Sequence, residues 1–282
     1  MSNDRGVFLA LTVLYKLAPS QSPALQSLAR CLQSGVDIRL VVWDNSPDRS
    51  SETDLAWLQQ NLPGSVYRHT PENLALSRIY NTIIREYLQQ GETSPFAGLF
   101  ILDQDSSFGP ELLDEAAEAM AAHPDVSLFL PHVMAEDAII SPAHMWGCIG
   151  YRWHSKRVGL IGARFHTAIN SGMIIRSEYL TRRFPGYDER LRFYGIDNDF
   201  CRKYAMSERW MYVLDSEVKH SLSRDVDEPR EMKLWRHREN VRALLLTNGD
   251  DWFSRVTSRT YGAAYCIKMA VTERDIRFLR WG

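Results

Sequence analysis

Two aspartates that directly follow an apolar run are the first residues in this chain whose types and spacing suit chemistry. Residues 96–108 read FAGLFILDQDSSF, and residues 96–102 carry no charge. Their length and their β-branched and aromatic content predict a strand that is buried on both faces. If the chain is still extended after this strand, Asp103 and Asp105 project to one side and Gln104 to the other.

This spacing of Asp103 and Asp105 suits a divalent metal ion. Two neighbouring carboxylates repel one another unless a proton or a cation compensates, and a hard divalent ion with oxygen ligands is the usual compensation. The pair therefore predicts a Mg or Mn site. An Asp-x-Asp triplet after a strand is also a common polar turn that caps the next helix, so both interpretations stay open for the triplet alone.

A second acidic group, Asp197-Asn198-Asp199, stands at the start of a predicted helix. Either carboxylate has the chemistry of a general base that takes a proton from a hydroxyl group within hydrogen-bond reach. A helix turns about 100° per residue, so the apolar side chains at 196, 200, 201 and 204 share one face. Asp197 falls within that face, whereas Asp199 lies roughly 125° from its centre. This geometry predicts that Asp197 points toward the protein and is the base, although an aspartate there also suits a helix cap.

The strands and helices that must position these acids are predicted from apolar residues, which recur with the period of a strand in some segments and with that of a helix in others. Strands are predicted over 6–15, 37–43, 65–69, 96–102, 126–130, 167–175 and 210–214, and helices over 23–33, 52–61, 73–87, 110–122, 197–204, 229–247 and from about 251 onward. Asn73 is predicted to cap its helix. Residues 134–164 show no clear period and predict long loops that help to form the site.

Strands that alternate with helices predict an α/β fold with a mostly parallel central sheet, helices on both faces and additional C-terminal helices. Ligands of such a sheet bind beyond the carboxyl ends of its strands. Tyr15, Asp44 and Asp103 all stand at such ends. The sequence therefore predicts one site, built at one edge of the sheet.

Composition and missing motifs exclude several functional classes. A chain of 282 residues with 45% hydrophobic content is long enough for a large core, and its net charge of -2 argues against a general nucleic-acid binder. Four scattered cysteines suggest neither a zinc cluster nor a disulfide framework, and no dinucleotide or phosphate-loop fingerprint occurs. We expect a cytoplasmic protein, because no signal peptide or apolar run of about 20 residues is present.

Six short motifs, taken in order, resemble those of the inverting glycosyltransferases of family 2, which have a GT-A fold, and within them the bacterial rhamnosyltransferase-like branch. They are VVWDNSPD (41–48), ENLALSRIYN (72–81), LFILDQDSSF (99–108), INSGMIIR (169–176), GIDNDFCRK (195–203) and VKHSLS (218–223). The resemblance implies metal-dependent transfer of a sugar, with inversion, from a nucleoside-diphosphate sugar to a surface-polysaccharide or glycolipid acceptor. Rhamnose from dTDP-rhamnose is the sugar it favours.

The resemblance also implies roles for individual residues. Asp103 and Asp105 match the metal-binding motif, His220 matches a histidine that completes the metal or diphosphate site, and Asp197 stands at the position of the base. Tyr15 and Asp44 fall beside the nucleotide base or ribose, and Arg78 offers a planar donor to the diphosphate. The residues implied to bind substrate are Tyr15, Asp44, Asn73, Arg78, Asn81, Gln104, Asn170, Ser171 and Arg238.

The chain departs from the family pattern at three positions. Ile196 stands where Glu often precedes the base, Ala75 replaces a Gly, and Glu239 separates the Arg-Asn pair of relatives.

Two other functions stay open. A sugar nucleotidyltransferase would need a Gly-rich loop after the first strand, where LYKLAPSQSP has none. A non-catalytic nucleotide-sugar or carbohydrate-binding protein on the same fold would explain the departures at Ile196 and Glu239.

The last part of the chain differs in character from the rest. We expect a catalytic domain over 1–225 and a C-terminal helical extension over 226–282 packed on it. Residues 252–282 hold six Arg or Lys against two acids, a net charge of +4, interleaved with aromatic residues. This stretch predicts contact with an anionic membrane surface that carries a lipid-linked acceptor, or else a solvated face of a packed helix.

Overall fold

The first half of the chain alternates strands and helices as predicted. In the computed structural model, which describes residues 6–89, 96–220, 229–249 and 252–280 apart from the side chain at 253, each apolar run forms a strand. The elements are β1 (Phe8–Leu14), α1 (Pro23–Gln33), β2 (Ile38–Asp44), α2 (Glu52–Asn61), β3 (Val66–His69), α3 (Leu76–Ile83) with a π-helical continuation (Ile84–Leu88), and β4 (Gly98–Asp103).

The second half has more and shorter strands. Its elements are β5 (Ser106–Phe108), α4 (Glu111–Ala122), β6 (Leu128–Ala135), β7 (Ala138–Ser141), β8 (Ala143–Trp146), β9 (Ile149–Arg152), β10 (Gly159–Gly162), β11 (His166–Thr167), β12 (Ile174–Arg176), α5 (Ser177–Arg182), α6 (Ile196–Ser207), β13 (Trp210–His220), α7 (Arg230–Thr247) and α8 (Trp252–Glu273). Short 3-10 helices occupy Pro19–Gln21, Ala163–Phe165 and Ile276–Leu279. Among the described helices, none is long and apolar enough to cross a bilayer.

The central sheet brings the ends of distant strands to one edge. Its order is β10-β13-β6-β12-β4-β1-β2-β3, and β1, β2, β3 and β4 run parallel. β12 is antiparallel to both β4 and β6, and β13 is parallel to β6, so β13 points the same way as β4. The carboxyl ends of β1, β2, β4 and β13 therefore lie along the same edge.

Both faces of the sheet are covered, which explains why its strands read as unbroken apolar runs. Alternate residues of β1 enter different cores: Leu9 and Leu11 join one buried cluster, whereas Phe8 and Ala10 join the other. The second cluster includes buried residues of α1 and α4, and the first includes residues of α3, α5 and α6. The predicted mostly parallel α/β architecture is confirmed.

Two local predictions were wrong. Residues 134–164 form the four strands β7 to β10 rather than long loops; strands of four residues with exposed side chains are too short to show a period of two. Asn73 does not cap α3, whose N-cap is Ala75. Asn73 instead adopts a left-handed conformation (φ 47°), which asparagine tolerates better than most residues, and turns the chain before the helix.

The C-terminal helices pack on the rest of the molecule through α6. Gly195 precedes α6 with φ 74°, and a Cβ atom there would lie 2.9 Å from the Cβ of Ala243 in α7. Trp235 of α7 packs against Phe193, with ring centroids 6.0 Å apart. Ala243 belongs to the same buried cluster as the sheet residues, so α7 shares the main core.

Candidate active site

The acidic loop after β4 is fixed in place by its middle residue. The Gln104 carbonyl accepts a hydrogen bond from Ser22 Oγ at 2.7 Å. Its side-chain Oε1 accepts from the Tyr15 backbone N–H at 2.8 Å, and its Nε2 donates to the Tyr15 carbonyl at 3.3 Å. Gln104 thus ties the end of β1 to the loop that carries Asp103 and Asp105. Its predicted contact with substrate stays a prediction.

The fold brings His220 to this acidic pair from more than a hundred residues away. β13 pairs with β5, and this register sets His220 opposite Ser106. His220 Nδ1 lies 3.3 Å from Asp105 Oδ1, and one ligand atom from each of Asp103, Asp105 and His220 lies within 4.8 Å of the others. Carboxylate oxygens and an imidazole nitrogen are an appropriate donor set for Mn, and carboxylates for Mg.

The electrostatics of the pair also fit a cation. The pKa of Asp103 is raised to about 6: burial raises it most, the nearby His220 lowers it, and the charges of Asp105 and Asp197 raise it. Burial likewise raises the pKa of Asp105, and His220 opposes that rise. Crowded, partly desolvated carboxylates of this kind are stabilised by positive charge. The residues present therefore fit a divalent metal ion.

Two buried serines support the site from below. The Asp103 backbone N–H donates to Ser171 Oγ at 3.3 Å, the hydroxyl groups of Ser171 and Ser106 form a short hydrogen bond, and Ser106 Oγ lies 3.3 Å from His220 Nδ1. Ser171 was predicted from the motif to bind substrate, whereas Ser106 was missed. Only the β5–β13 register reveals that Ser106 connects the histidine to the acidic loop.

Asp197 lies in the first turn of α6, near enough to Asp103 for the two charges to interact. It is half-buried, and its Oδ1 accepts a hydrogen bond from the Asn198 backbone N–H at 2.8 Å. Burial raises the pKa of Asp197, and its charge in turn raises that of Asp103. Among the described residues it forms no ion pair, so this carboxylate is not neutralised by a neighbouring cation.

The helical wheel set Asp199 roughly 125° from the apolar face and did not show that this side chain is buried. Asp199 is buried, and its carboxylate forms ion pairs with Lys203 Nζ at 2.6 Å and Arg202 Nη2 at 3.3 Å. A helical wheel based on apolar residues cannot show this arrangement, because two cations one turn along the helix compensate the buried charge. The two acids of α6 therefore differ in environment: Asp199 is paired and Asp197 is not.

Tyr80 of α3 is a further group near Asp103 and Asp197. Its side chain is buried, and burial together with the charges of Asp103 and Asp197 raises its pKa well above the ordinary value. The hydroxyl group therefore stays protonated beside the two acids. Asn170 follows β11, and a hydrogen bond between the Asn170 and Tyr80 side chains partly opposes the rise in the Tyr80 pKa.

The carboxylate of Asp44, at the end of β2, accepts hydrogen bonds from its own loop and from the neighbouring strand β3. Its carboxylate accepts from the Ser46 backbone N–H at 3.1 Å, Ser50 Oγ at 2.7 Å and Tyr67 Oη at 2.6 Å. Burial raises the pKa of Asp44, but these hydrogen bonds outweigh it and hold the pKa below the ordinary value. Asp44 thus shapes the loop after β2, and its contact with a nucleotide stays a prediction.

The remaining predicted substrate ligands divide into anchored and exposed side chains. Asn73 Oδ1 accepts from Asn45 Nδ2 at 3.0 Å, and Asn81 bonds both the N–H and the carbonyl of Tyr187, at 2.8 and 2.9 Å. Arg78, by contrast, is exposed one turn before Asn81. Asn73 and Asn81 therefore position loops, and only Arg78 presents an exposed planar donor on this helix.

Two other residues predicted to bind substrate, Tyr15 and Arg238, lie outside the cluster of Asp103, Asp105 and His220. Tyr15 is 40% exposed at the end of β1, with Lys16 Nζ 5.3 Å from the centre of its ring. Arg238 is half-buried on α7, and no hydrogen bond connects it to the acidic site in the part of the chain that the structure describes. The structure therefore leaves Arg238 outside the cluster formed by Asp103, Asp105 and His220.

A cavity of about 850 Å³ lies beside α6. Asn198 and Thr167, joined by a 2.7 Å hydrogen bond, form part of its wall, and α7 and α8 form another part. Trp146, 73% exposed at the end of β8, lines the cavity as well. No acidic residue lines it among the described residues. Asn198, the residue after Asp197, lines this cavity, whereas Asp103 and Asp105 do not.

No protein-family model and no curated protein matches the chain. Several solved structures do match the chain. GalNAc-T7 with UDP, GalNAc and Mn²⁺ matches with a TM-score of 0.57 and 10% identity, covering 86% of this chain and 48% of that one. TarS from S. aureus matches with a TM-score of 0.53 and 14% identity, covering 93% and 43%. TarS 1–349 with UDP gives 0.51 and 15%, covering 94% and 72%.

The chain has the GT-A fold. At identities of 10–15% this likeness concerns the fold alone. The chain also spans less than half the length of GalNAc-T7 and of full TarS in those structures. Within the GT-A fold, Asp103 ends β4 and Asp105 follows it at the carboxyl edge of the parallel strands, where open α/β sheets bind their ligands.

Proposed function

We propose that the chain is a metal-dependent glycosyltransferase that uses a nucleoside-diphosphate sugar. The observation that carries this proposal is the convergence of Asp103, Asp105 and His220 at the carboxyl edge of the sheet, with the unpaired Asp197 near enough to Asp103 for their charges to interact. Metal ligands beside a separate base are the two groups that such a displacement needs. The GT-A fold and the solved structures with UDP and Mn²⁺ support the same function.

The metal ligands would be Asp103, Asp105 and His220. A bound Mg or Mn ion would supply positive charge next to the diphosphate leaving group. These three side chains are too few to complete an octahedral shell, so donor phosphates and water are expected to provide the remaining ligands. Arg78 is exposed and suited to phosphate oxygens, and Tyr15 lies at the end of the neighbouring strand.

Asp197 would act as the general base in a single displacement. The acceptor hydroxyl oxygen forms a bond to the anomeric carbon while the bond from that carbon to the diphosphate oxygen breaks, and the hydroxyl proton passes to Asp197. The anomeric configuration inverts. Burial raises the pKa of Asp197, which makes its carboxylate a stronger base than an exposed aspartate. The paired Asp199 lacks this freedom.

The finer proposal is a rhamnosyltransferase of the family 2 type that uses dTDP-rhamnose. It rests on the ordered motifs, with Gln104 between the metal acids. The acceptor is proposed to be a surface-polysaccharide or lipid-linked saccharide that approaches along the cavity beside Asn198. This cavity has aromatic and amide side chains, which suit the apolar faces and hydroxyl groups of a sugar.

Incubation with a panel of nucleotide sugars tests the proposed function. The measured quantity is metal-dependent release of the nucleoside diphosphate, with and without saccharide acceptors. We expect release from one donor, with dTDP-rhamnose first, that stops with EDTA and returns when Mn²⁺ or Mg²⁺ is added. Tight nucleotide-sugar binding without release from any donor would instead indicate a non-catalytic binding protein, and formation of a nucleotide sugar from a sugar phosphate would indicate a nucleotidyltransferase.

The cavity proposal has its own test in Trp146. Replacing it with alanine removes the most exposed aromatic group of the cavity wall, so we expect the acceptor KM to rise by on the order of tenfold with the donor KM unchanged. Tyr151 is 53% exposed on the paired strand β9 and does not line the cavity, so Tyr151→Ala is the matched control. Equal effects of the two substitutions would contradict the assignment.

A further inference from the structure

The helix α8 has one packed side and one exposed apolar side. Ser258, Gly262 and Cys266, spaced four residues apart, are buried. On the other side, the exposed apolar residues are Trp252 (76%), Val256 (44%), Ile267 (58%) and Val271 (73%). The 3-10 helix that follows adds Ile276 (80%) and Leu279 (44%). Exposed apolar side chains that gather on one side of a helix can mark a site of interaction with a protein or a membrane.

All exposed charged side chains of residues 252–280 are positive. Its exposed cations are Arg255, Arg259, Lys268, Arg274 and Arg280. Its two acids are partly covered and paired: Glu273 lies 4.0 Å from Lys233, and Asp275 is bound by Arg277. The described exposed surface of 252–280 therefore combines apolar groups with unopposed positive charge.

We propose that this surface, formed by α8 and Ile276–Leu279, docks on an anionic lipid bilayer. The apolar side chains would enter the headgroup region, with Trp252 suited to the interface, and the arginines and lysine would contact lipid phosphates. A second copy of the chain is the poorer occupant. A two-fold symmetric contact would place five exposed cations against the same five.

Docking would also orient the proposed active site. α8 contributes Tyr261 and Tyr265 to the cavity beside Asn198. A helix is about 10 Å across, so the cavity would lie within roughly one helix diameter of the bilayer surface. A lipid-linked saccharide could then reach the cavity without leaving the membrane. This consequence rests on the proposed function, whereas the docking itself does not.

Cosedimentation with vesicles tests the docking without any substrate. The full chain is mixed with vesicles of phosphatidylcholine alone, or of phosphatidylcholine with phosphatidylglycerol. We expect binding to the anionic vesicles at low salt, weaker binding at high salt because the attraction is screened, and little binding to the neutral vesicles. Equal binding to both compositions, or none to either, would overturn the proposal.

Two variants and a matched control locate the surface. Arg259→Glu/Lys268→Glu reverses two exposed cations of α8, and Ile267→Asp/Val271→Asp removes two apolar contacts; each is expected to reduce partition by on the order of tenfold or more. Arg39→Glu/Arg85→Glu makes the same charge change at two exposed arginines of β2 and of the π-helical segment. It is expected to reduce partition much less.

The controls also separate the other outcomes. Unfolding temperatures show whether each variant is folded, and the charge-reversal pair is decisive if the aspartate pair unfolds, because Arg259 and Lys268 are exposed. Equal losses in the α8 and control variants would overturn the assigned surface. A concentration-dependent dimer that Ile267→Asp/Val271→Asp dissolves, without vesicle binding by the parent chain, would show a second copy instead. Vesicle binding that persists when no sugar transfer is found would leave this inference standing.

Discussion

At the scale of residues, Asp105 is the side chain on which metal binding should depend most. Its carboxylate lies 3.3 Å from His220 and within ligand reach of Asp103. We expect Asp105→Ala to lower affinity for Mn²⁺ in the presence of a nucleoside diphosphate by on the order of a hundredfold, because a charged ligand is lost. Calorimetry with and without dTDP or UDP measures this.

The control for that experiment is Asp125→Ala. Asp125 is an exposed carboxylate before the amino end of β6, at the opposite edge of the sheet. Metal binding should not change in this variant. If the two variants bind Mn²⁺ equally, or if dTDP and UDP fail to strengthen metal binding by the parent chain, the assignment of the metal site is wrong.

The pH dependence of metal binding follows from Asp103. Burial raises its pKa to about 6, so the free site is ionised above that pH and holds a proton below it. A metal must displace this proton, so apparent affinity should fall by about tenfold per pH unit as pH drops below 6. Titration calorimetry at pH 7, 6 and 5 checks the slope, and constant affinity across that range would contradict it.

The sequence predicted which of these residues lie together better than it predicted their surroundings. Asp103 and Asp105 were visible because a charge pair at the end of an apolar run is unusual, and the motif pointed to His220. Ser106 was not visible, because its contact with His220 depends on the β5–β13 register. Asp199 was misplaced because the helical wheel ignored Lys203, which compensates its buried charge.

At the scale of elements, Gly195 controls how α6 meets α7. Alanine there would adopt φ 74° and place its Cβ 2.9 Å from Ala243. We expect Gly195→Ala to lower the free energy of unfolding by about 2–4 kcal/mol, from a left-handed residue and an overpacked contact together. Denaturant unfolding measures the change.

Gly35 provides the matched control for that contact. Its φ is 85°, and nothing lies within 4 Å of an added Cβ. Gly35→Ala should therefore cost only the left-handed backbone term, about 1–2 kcal/mol. If both alanine variants lose the same free energy, the contact with Ala243 contributes nothing to stability.

Long elements were predictable and short ones were not. α1, α2 and α4 were predicted within a residue of their bounds, because caps, prolines and apolar periods agree over ten or more residues. The hairpin of β8 and β9 was missed, since its strands have four residues and β9 is largely exposed. Pairing with distant strands, rather than local sequence, determines such strands.

At the scale of the whole molecule, the C-terminal helix α7 shares a core with the sheet. Ala243 of α7 belongs to the cluster that holds Leu9, Tyr80 and Phe200. We therefore expect one calorimetric unfolding transition rather than two, because the extension proposed to begin at 226 has its inner face in the main core. Two well-separated transitions would show that it folds as an independent unit.

The sequence predicted the architecture of the whole but not its assembly. Alternating elements with both faces apolar are enough to indicate a mostly parallel sheet, as observed. The antiparallel β12 between β4 and β6 could not be anticipated, although it decides that β13 delivers His220 to the same edge as Asp103. The cavity is equally hidden, because its walls come from β8, α6, α7 and α8.

The central claim is that Asp197 removes the proton from the acceptor beside a metal held by Asp103, Asp105 and His220. Its most direct test is the rate of sugar transfer by Asp197→Asn, measured beside its affinity for the nucleoside diphosphate. We expect transfer to fall by on the order of a hundredfold or more while nucleotide affinity is unchanged, because an amide cannot accept the proton.

Asp199→Asn is the matched variant in the same turn of α6. It should keep most of the transfer rate and instead lose stability, by about 1–3 kcal/mol, because Lys203 loses its buried partner. Asp197 is not the base if Asp197→Asn transfers sugar at the parent rate, and most clearly so if Asp199→Asn, still folded and still binding nucleotide, does not.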